Sequence, residues 1–211
     1  MLDIALKEWS CVCDLLVEGR VGLLLRKGGV HEDAGPGRFR LGYRRFGLFP
    51  AWEHERLEWI KPALRTEFGE RGVGGSGKAG QAVAHTDGGP DGDPAEICFR
   101  GFAEVAGVWE VPSRAAFDEL DDLHPWLPPQ IDMRFDYKPD RPLYVVLVRA
   151  YRLKKPKTVP NHQAFAGCRS WVPLQGGNRL AMEPAQPAVS EATLSAWQAR
   201  VTAALGSGGN G

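Results

Sequence analysis

The stretch that decides the fold lies at positions 95–111 and reads AEICFRGFAEVAGVWEV. Apolar side chains from Ile97 to Val111 alternate with polar ones, and a period of two is the pattern of a β-strand with two unlike faces. Gly101 and Gly107 interrupt this pattern. Glycines inside a strand are typical of bulges and bends, which let a strand curl. We therefore predict one long, bent strand here.

A second long strand is predicted at Leu143–Leu153, because this run is apolar on both faces in its first half, as expected for a central strand that is covered on both sides. Three shorter strands are predicted at 21–27, 46–49 and 167–174. Apolar spacing and capping residues predict helices at 2–18 with Gly19 as C-terminal cap, at 52–61, after Ser113 and after Ser190, while 130–136 is predicted to be extended.

These elements predict an α+β fold. Curled strands with internal glycines favour a small mixed β-barrel with flanking helices over an open sheet. We expect a single domain over residues 1–175, interrupted at about 67–94 by a flexible insertion, because residues 69–94 contain nine glycines and almost no large apolar side chain. Residues 176–211 are expected to form a linker, a C-terminal helix and a disordered tail.

The net charge of zero conceals a segregation of charge along the chain. Residues 20–65 carry ten basic and five acidic residues, and residues 125–179 carry ten basic and three acidic ones. If these two segments meet in the fold, they form a positive face that attracts polyanions. If they do not meet, their cations merely solvate two ordinary surfaces.

Several classes of protein are not favoured by the sequence. No run approaches the ~20 apolar residues of a membrane span, and no secretory signal is visible, so we expect a cytoplasmic protein with no membrane partner. The four cysteines contain no CxxC pair, and neither a metal site nor a cofactor is expected. The sequence contains no GxSxG, P-loop or HExxH motif.

The candidate binding residues are cations next to glycines or aromatic residues. Arg26 and Lys27 end a predicted strand just before Gly28 and Gly29, where side-chain charge and free N–H groups together suit a phosphate; a tight hairpin with solvated cations is the alternative. An aromatic ring near a cation can stack on a base, although it can equally be part of the core. The further candidates for nucleic-acid binding are Arg134, Arg149, Arg169, Trp126 and Trp171.

A catalytic alternative rests on His54, which could act as an acid or base with Glu53 or Glu32 in a hydrolase for a modified nucleobase or a small amide. The plainer interpretation is a surface helix with i,i+4 pairing between His54 and Glu58. A third possibility is a protein-interaction module that uses the glycine-rich insertion as a tether.

Several short motifs resemble an uncharacterised bacterial family, the domain of unknown function 1802. They are Ala5-Leu6-Lys7-Glu8-Trp9, Leu24-Leu25-Arg26-Lys27-Gly28-Gly29, Leu48-Phe49-Pro50-Ala51-Trp52-Glu53-His54, His124-Pro125-Trp126, Pro142-Leu143-Tyr144, Arg149-Ala150-Tyr151-Arg152-Leu153 and Gly167-Cys168-Arg169-Ser170-Trp171-Val172. This resemblance implies no activity, because the family has none established.

Gly19, Arg20 and Arg26 also resemble the opening of ASCH domains, a branch of the PUA-like barrels that bind RNA or modified bases. That resemblance implies a PUA-like fold and a nucleic-acid ligand. Some ASCH proteins hydrolyse acetylated cytidine with lysine, threonine and glutamate, but this chain has Val21, Gly22 and Leu24 at the corresponding second-lysine, threonine and glutamate positions. The leading hypothesis is therefore a binding module for RNA, single-stranded nucleic acid or a nucleotide.

Overall fold

The computed structural model describes residues 1–27, 42–65, 94–167 and 169–206. The predicted glycine-rich insertion lies almost wholly outside these residues, as does the end of the predicted tail. The regular elements are β1 (Ile4–Trp9), α1 (Ser10–Val17), β2 (Leu23–Arg26), β3 (Arg45–Ala51), β4 (Glu96–Glu110), α2 (Arg114–Asp118), α3 (Pro128–Asp136), β5 (Tyr144–Pro160), β6 (Trp171–Pro173), β7 (Ala185–Pro187) and α4 (Glu191–Leu205).

One mixed sheet organises the fold, with strand order β2-β5-β4-β3-β1-β6 and with β7 added alongside β5. The two long strands, β4 and β5, pair antiparallel through the middle of the sheet, and their register shifts between Phe99 and Gly101 and again between Val105 and Gly107. The predicted strands and the predicted irregularities at both glycines are thus confirmed. The parallel pair is β1 with β3.

The predicted α+β class with flanking helices is confirmed, but the sheet is not closed into a barrel by backbone hydrogen bonds. Both edges of β1 are occupied, one by β3 and the other by β6, so β1 offers no edge to β2. A side chain nevertheless crosses from β2 to β1: Nη2 of Arg26 lies 2.9 Å from Oε2 of Glu8 and donates to the carbonyl of Lys7 at 3.3 Å. The sheet therefore curls far enough to bring β1 and β2 within side-chain reach.

The predicted helix at 2–18 is correct only for its second half. Residues 4–9 form β1, and helix α1 begins at Ser10. Strand β1 is buried on both faces, which removes the polar alternation that marks a half-exposed strand and leaves apolar spacing compatible with a helix. Gly19 adopts φ +71° after α1, with Gly19 N–H bonded to Leu16 O and Arg20 N–H to Leu15 O, both at 3.0 Å, so the predicted C-terminal cap is confirmed.

Two further predictions of local structure are wrong. Residues 52–61 contain only a short 3₁₀ turn at Leu57–Trp59, because Trp59 O and Lys61 N–H bond instead to the distant Leu127 N–H and Pro125 O, each at 2.8 Å. Residues 130–136 are helical rather than extended, because Pro128 starts α3 at a position where no backbone N–H donor is needed.

The core lies on both sides of the sheet, in a larger cluster that includes α1 and β2 and a smaller one around Phe49, Phe99 and Phe102. Helix α4 contributes Leu194 and Val201 to the larger cluster, and Ser190 caps it by accepting from Thr193 N–H at 3.1 Å. Residues after 175 are therefore part of the packed structure, with β7 paired to β5 and α4 set against the core.

Candidate functional site

The gap between β1 and β2 is occupied by a buried ion pair. Glu8, whose side chain is 5% exposed, points from β1 to Arg26 at the end of β2. The second carboxylate oxygen of Glu8 accepts from the backbone N–H of Trp9 at 3.0 Å, so both oxygens are engaged. The Nε atom of Arg26 is buried and has no hydrogen-bond partner within the described part of the chain. The guanidinium thus keeps unused donor capacity next to the pair.

A second guanidinium joins this pair from the last turn of α3. Burial lowers the pKa of Arg134, with Glu8 opposing that effect and Arg26 adding to it, which places Arg134 within electrostatic range of both partners. Among the described residues, no carboxylate makes a hydrogen bond or a close ion pair with the Arg134 side chain. One buried carboxylate therefore faces two guanidiniums, and the local charge balance of these three groups is positive.

Lys27 is close to the same place but has a different task. Its ammonium donates to the carbonyls of Arg134 at 3.0 Å and Phe135 at 2.5 Å, at the C-terminal end of α3. These carbonyls have no partner inside the helix, and a lysine there also interacts favourably with the helix dipole. Lys27 thus fastens α3 to β2 and positions Arg134, and burial lowers the pKa of its amine.

Strand β6 brings the other basic candidate to this region. Leu6 on β1 pairs with Trp171, and Lys7 N–H bonds to Ser170 O at 2.8 Å. The next residue back along the chain, Arg169, is therefore close to the Glu8 end of β1, and it is exposed. Trp171 is half-buried and packs edge-on against Tyr43 and Phe46 at ring-centroid distances of 5.1 and 5.3 Å.

The structure therefore brings together four of the seven predicted binding cations and aromatics around the end of β1, with Lys27 holding the helix beneath them. We call Arg26, Arg134, Arg169, Trp171 and Glu8 the β1 site. The two basic segments of the sequence meet here, since Arg26 comes from one and Arg134 and Arg169 from the other.

Two predicted residues lie elsewhere. Trp126 is 3% exposed and stacks on His124 at 5.5 Å within the core, so its ring offers no free face to a base. Arg149 forms an ion pair with Glu191 at 2.7 Å and lies over the ring of Tyr151, 5.6 Å from its centroid. Arg149 therefore connects β5 to the first turn of α4.

The catalytic candidates do not form a shared cleft within the described residues. His54 lies in an exposed turn at φ +61°, its side chain is 79% exposed, and its Nε2 atom is 3.5 Å from Oε1 of Glu53. Because residues 52–61 are not an α-helix, the helical pairing of His54 with Glu58 does not occur. Glu32 lies outside the described residues.

Sequence reasoning missed two carboxyl groups, Glu8, which is buried, and Glu55, which is partly buried. Glu55 accepts from Cys11 N–H in the first turn of α1 at 2.8 Å, and burial raises the pKa of its carboxyl group. Burial also raises the pKa of the Cys11 and Cys13 thiols well above its ordinary value. An acid inside the apolar run of residues 4–9 was the one signal that could have pointed to Glu8, because a buried charge requires a partner.

A shallow groove that is open to solvent lies between α1, β3 and β4. Its wall carries an ion pair between Arg100 and Asp14 at 2.9 Å. In the described part of the chain, no group of three histidine, cysteine or acidic residues is arranged to hold a metal ion. None of the helices that can be described is both long and apolar enough to cross a membrane.

Fold and site together define an α+β protein with an open, curled mixed sheet and a half-buried pair of guanidiniums across its gap. The family model for the domain of unknown function DUF1802 matches residues 5–200. The chain belongs to this family, as predicted from its motifs. A search of curated proteins gives no match.

A search of solved structures finds the crystal structure of a mutant ASCH protein from Zymomonas mobilis. The two chains share 10% identity, the similarity covers 83% of this chain and 92% of that one, and the TM-score is 0.44. A similarity of this extent does not transfer a ligand or an activity.

Proposed function

We propose that this protein binds a nucleic acid or a nucleotide, and that the β1 site receives a phosphate group. The observation that carries the proposal is the excess of positive charge at the gap between β1 and β2. There, one carboxylate, Glu8, forms an ion pair with Arg26 and also lies within electrostatic range of Arg134. A guanidinium that has lost part of its hydration without gaining a carboxylate of its own has donors available for an anion.

Phosphate fits this arrangement better than a single carboxylate does. It carries more charge, and several oxygens can accept from two guanidiniums at once in charge-assisted hydrogen bonds. The buried ion pair with Glu8 and the attachment of α3 through Lys27 hold the two guanidiniums in place before the ligand arrives. Pre-positioned donors bind with less loss of side-chain entropy than flexible surface lysines do.

The exposed Arg169 and the Trp171–Tyr43 pair extend the same surface along β6. Arg169 suits a second phosphate, and an exposed aromatic edge suits a sugar or base. The proposal thus assigns a short stretch of polymer, or one nucleotide, to this side of the sheet.

The direct test is fluorescence anisotropy with labelled single-stranded RNA and DNA at 50 and 200 mM salt. We expect Arg134→Gln to weaken binding about tenfold to a hundredfold, on the order of the 1.5–3 kcal/mol of a hydrogen bond to a charged group. Lys155→Gln is the matched control, because it removes an exposed cation from the far end of β5 and should leave affinity close to that of the wild type. Arg169→Ala provides a second variant at an exposed position, where folding is not at risk.

Binding that is absent at low salt, or that is equally affected by Arg134→Gln and Lys155→Gln, would show the proposal to be wrong. The hydrolase and the interaction module remain predictions from the sequence. The hydrolase requires release of product from a modified nucleobase or a small amide, and the interaction module requires loss of partner capture when residues 69–93 are deleted.

A further inference from the structure

Helix α3, which carries Arg134, also presents large apolar side chains to solvent. Met133 is 39% exposed and Tyr137 is 49% exposed, and they are neighbours four residues apart on the helix surface. Gln130 and Ile131 are the buried residues of this helix. Met133 and Tyr137 therefore form an exposed apolar ridge at the end of a helix that packs against the protein through its middle.

Tyr137 stands beside the guanidinium of the β1 site. It follows Arg134 by three residues, and its backbone N–H still bonds to Met133 O at 3.0 Å, so both residues lie on one side of the last helical turn. The Tyr137 phenol is one of the groups that affect the pKa of Arg134, so the two side chains lie within electrostatic range of each other. The Lys138 ammonium lies over the Tyr137 ring, 5.0 Å from its centre.

The turn that follows keeps this ring in position. Lys138 adopts φ +49°, and its carbonyl accepts from Arg141 N–H at 2.9 Å, which closes a tight turn directly after Tyr137. The result is a half-exposed aromatic ring with the Lys138 ammonium over it and Arg134 one helical turn before it, at the point where the chain leaves the helix.

We propose that Tyr137 is the stacking platform for a base whose phosphate is held by Arg134, and that the protein therefore selects unpaired nucleotides over duplexes. This inference rests on the proposed function and adds the class of ligand. A base can stack on an exposed ring only when its own face is free, which is so in a single strand and not inside a duplex. Arg134 and Lys138, the cations near the ring, suit the phosphates that flank that base.

The proposed contact surface would hold only two or three phosphates of the ligand. Asp136 and Asp140 lie close enough to Lys27 to act on its charge, so this part of the surface is only moderately positive. Two or three phosphate contacts would give log K against log salt a slope of about −1.4 to −2.1 for a single strand. A long basic groove would give a much steeper dependence.

The experiment compares three ligands with the full-length protein: a labelled single-stranded RNA, the same strand with abasic sites, and the matching duplex. Tyr137→Ala should lower affinity for the intact single strand about tenfold, equivalent to ~1.4 kcal/mol and typical of the loss of one stacked base, and should leave affinity for the abasic strand unchanged. Tyr137→Phe should retain wild-type affinity. Leu57→Ala is the matched control, because it removes another exposed apolar side chain.

The two proposals fail in different ways. If Arg134→Gln weakens binding of both intact and abasic strands while Tyr137→Ala changes neither, phosphate binding stands and the platform is wrong; the ridge then fits a protein partner instead. Equal affinity for the duplex and the single strand also overturns the platform. If no RNA ligand binds at low salt, the proposed function is wrong, and the stacking role of Tyr137 is then wrong as well.

Discussion

Acid sensitivity of folding provides a sharp test of the packing around His124. The ring is fully buried, stacked between Phe117 and Trp126 at centroid distances of 4.6 and 5.5 Å, and its Nδ1 atom accepts from Trp126 N–H at 3.2 Å. An accepting Nδ1 requires a neutral imidazole. Burial, with further contributions from Lys61 and Arg114, lowers the pKa of His124 to about 3, while Asp121 and Asp122 oppose that effect.

The sign and size of the effect follow from this pKa. The unfolded chain takes up a proton at His124 below about pH 6.5, whereas the folded protein does so only near pH 3, so the folded state loses stability as the pH falls through this range. Between pH 7 and pH 5 this one group should lower the free energy of unfolding by about 2 kcal/mol, at ~1.4 kcal/mol per pH unit once the unfolded histidine is protonated.

Urea denaturation at pH 7, 6 and 5 measures the effect by comparison of the wild type with His124→Asn. Asparagine retains an acceptor for the Trp126 N–H and does not titrate, so the variant should be less stable at pH 7 but should lose about 2 kcal/mol less on acidification. His162→Asn, which changes an exposed histidine, is the control and should follow the wild type. Parallel stability curves for the wild type and His124→Asn would refute the reasoning, because His124 would then not be buried in neutral form.

Three further outcomes are expected. Arg26→Met should lower the free energy of unfolding by about 3–5 kcal/mol, because it removes the cation that forms the close ion pair with buried Glu8, and adding Glu8→Gln should restore part of that loss; a single variant as stable as the wild type in urea would contradict the ion pair. Gly22→Val should cost about 1–3 kcal/mol, because a Cβ atom there would lie 2.6 Å from the ring of Trp197, and thermal unfolding should show a smaller loss in a Trp197→Ala background. Iodoacetamide followed by peptide mass spectrometry should find Cys98 alkylated in the folded protein, with the two cysteines of α1 modified only after unfolding; equal rates would mean that α1 is not packed as described.

Local patterns were sufficient for much of the secondary structure. Strands β4 and β5 followed from alternation and from a long apolar run, and the helix caps at Gly19, Ser113 and Ser190 followed from residues whose backbone or side chain satisfies groups one turn away. Such signals depend on neighbours within a few residues, so they can be read from a sequence. The resemblance to the DUF1802 family was likewise predicted from short motifs, and the family model that matches residues 5–200 confirms it.

The site could be predicted only in part. The adjacent cations Arg26 and Lys27 predicted an anion site. The sequence did not show that Arg26 forms an ion pair with Glu8 while Lys27 binds the end of α3, more than a hundred residues away in the chain. In the sequence, Trp126 and Trp171 are equally plausible as residues that contact a base. In the structure, the core covers Trp126, whereas Trp171 lies on β6 at the edge of the sheet.

The sequence alone determined the ends of helices whose terminal backbone groups bond to a capping residue nearby. It also determined strands in which polar and apolar side chains alternate. It did not settle residues 4–9, whose burial on both faces erases that pattern, or the meeting of Glu8 with Arg26 and Arg134. Those contacts exist because the sheet curls until β2, at one edge, approaches β1, the fifth strand across the sheet. The curling of a sheet is a property of all its strands together.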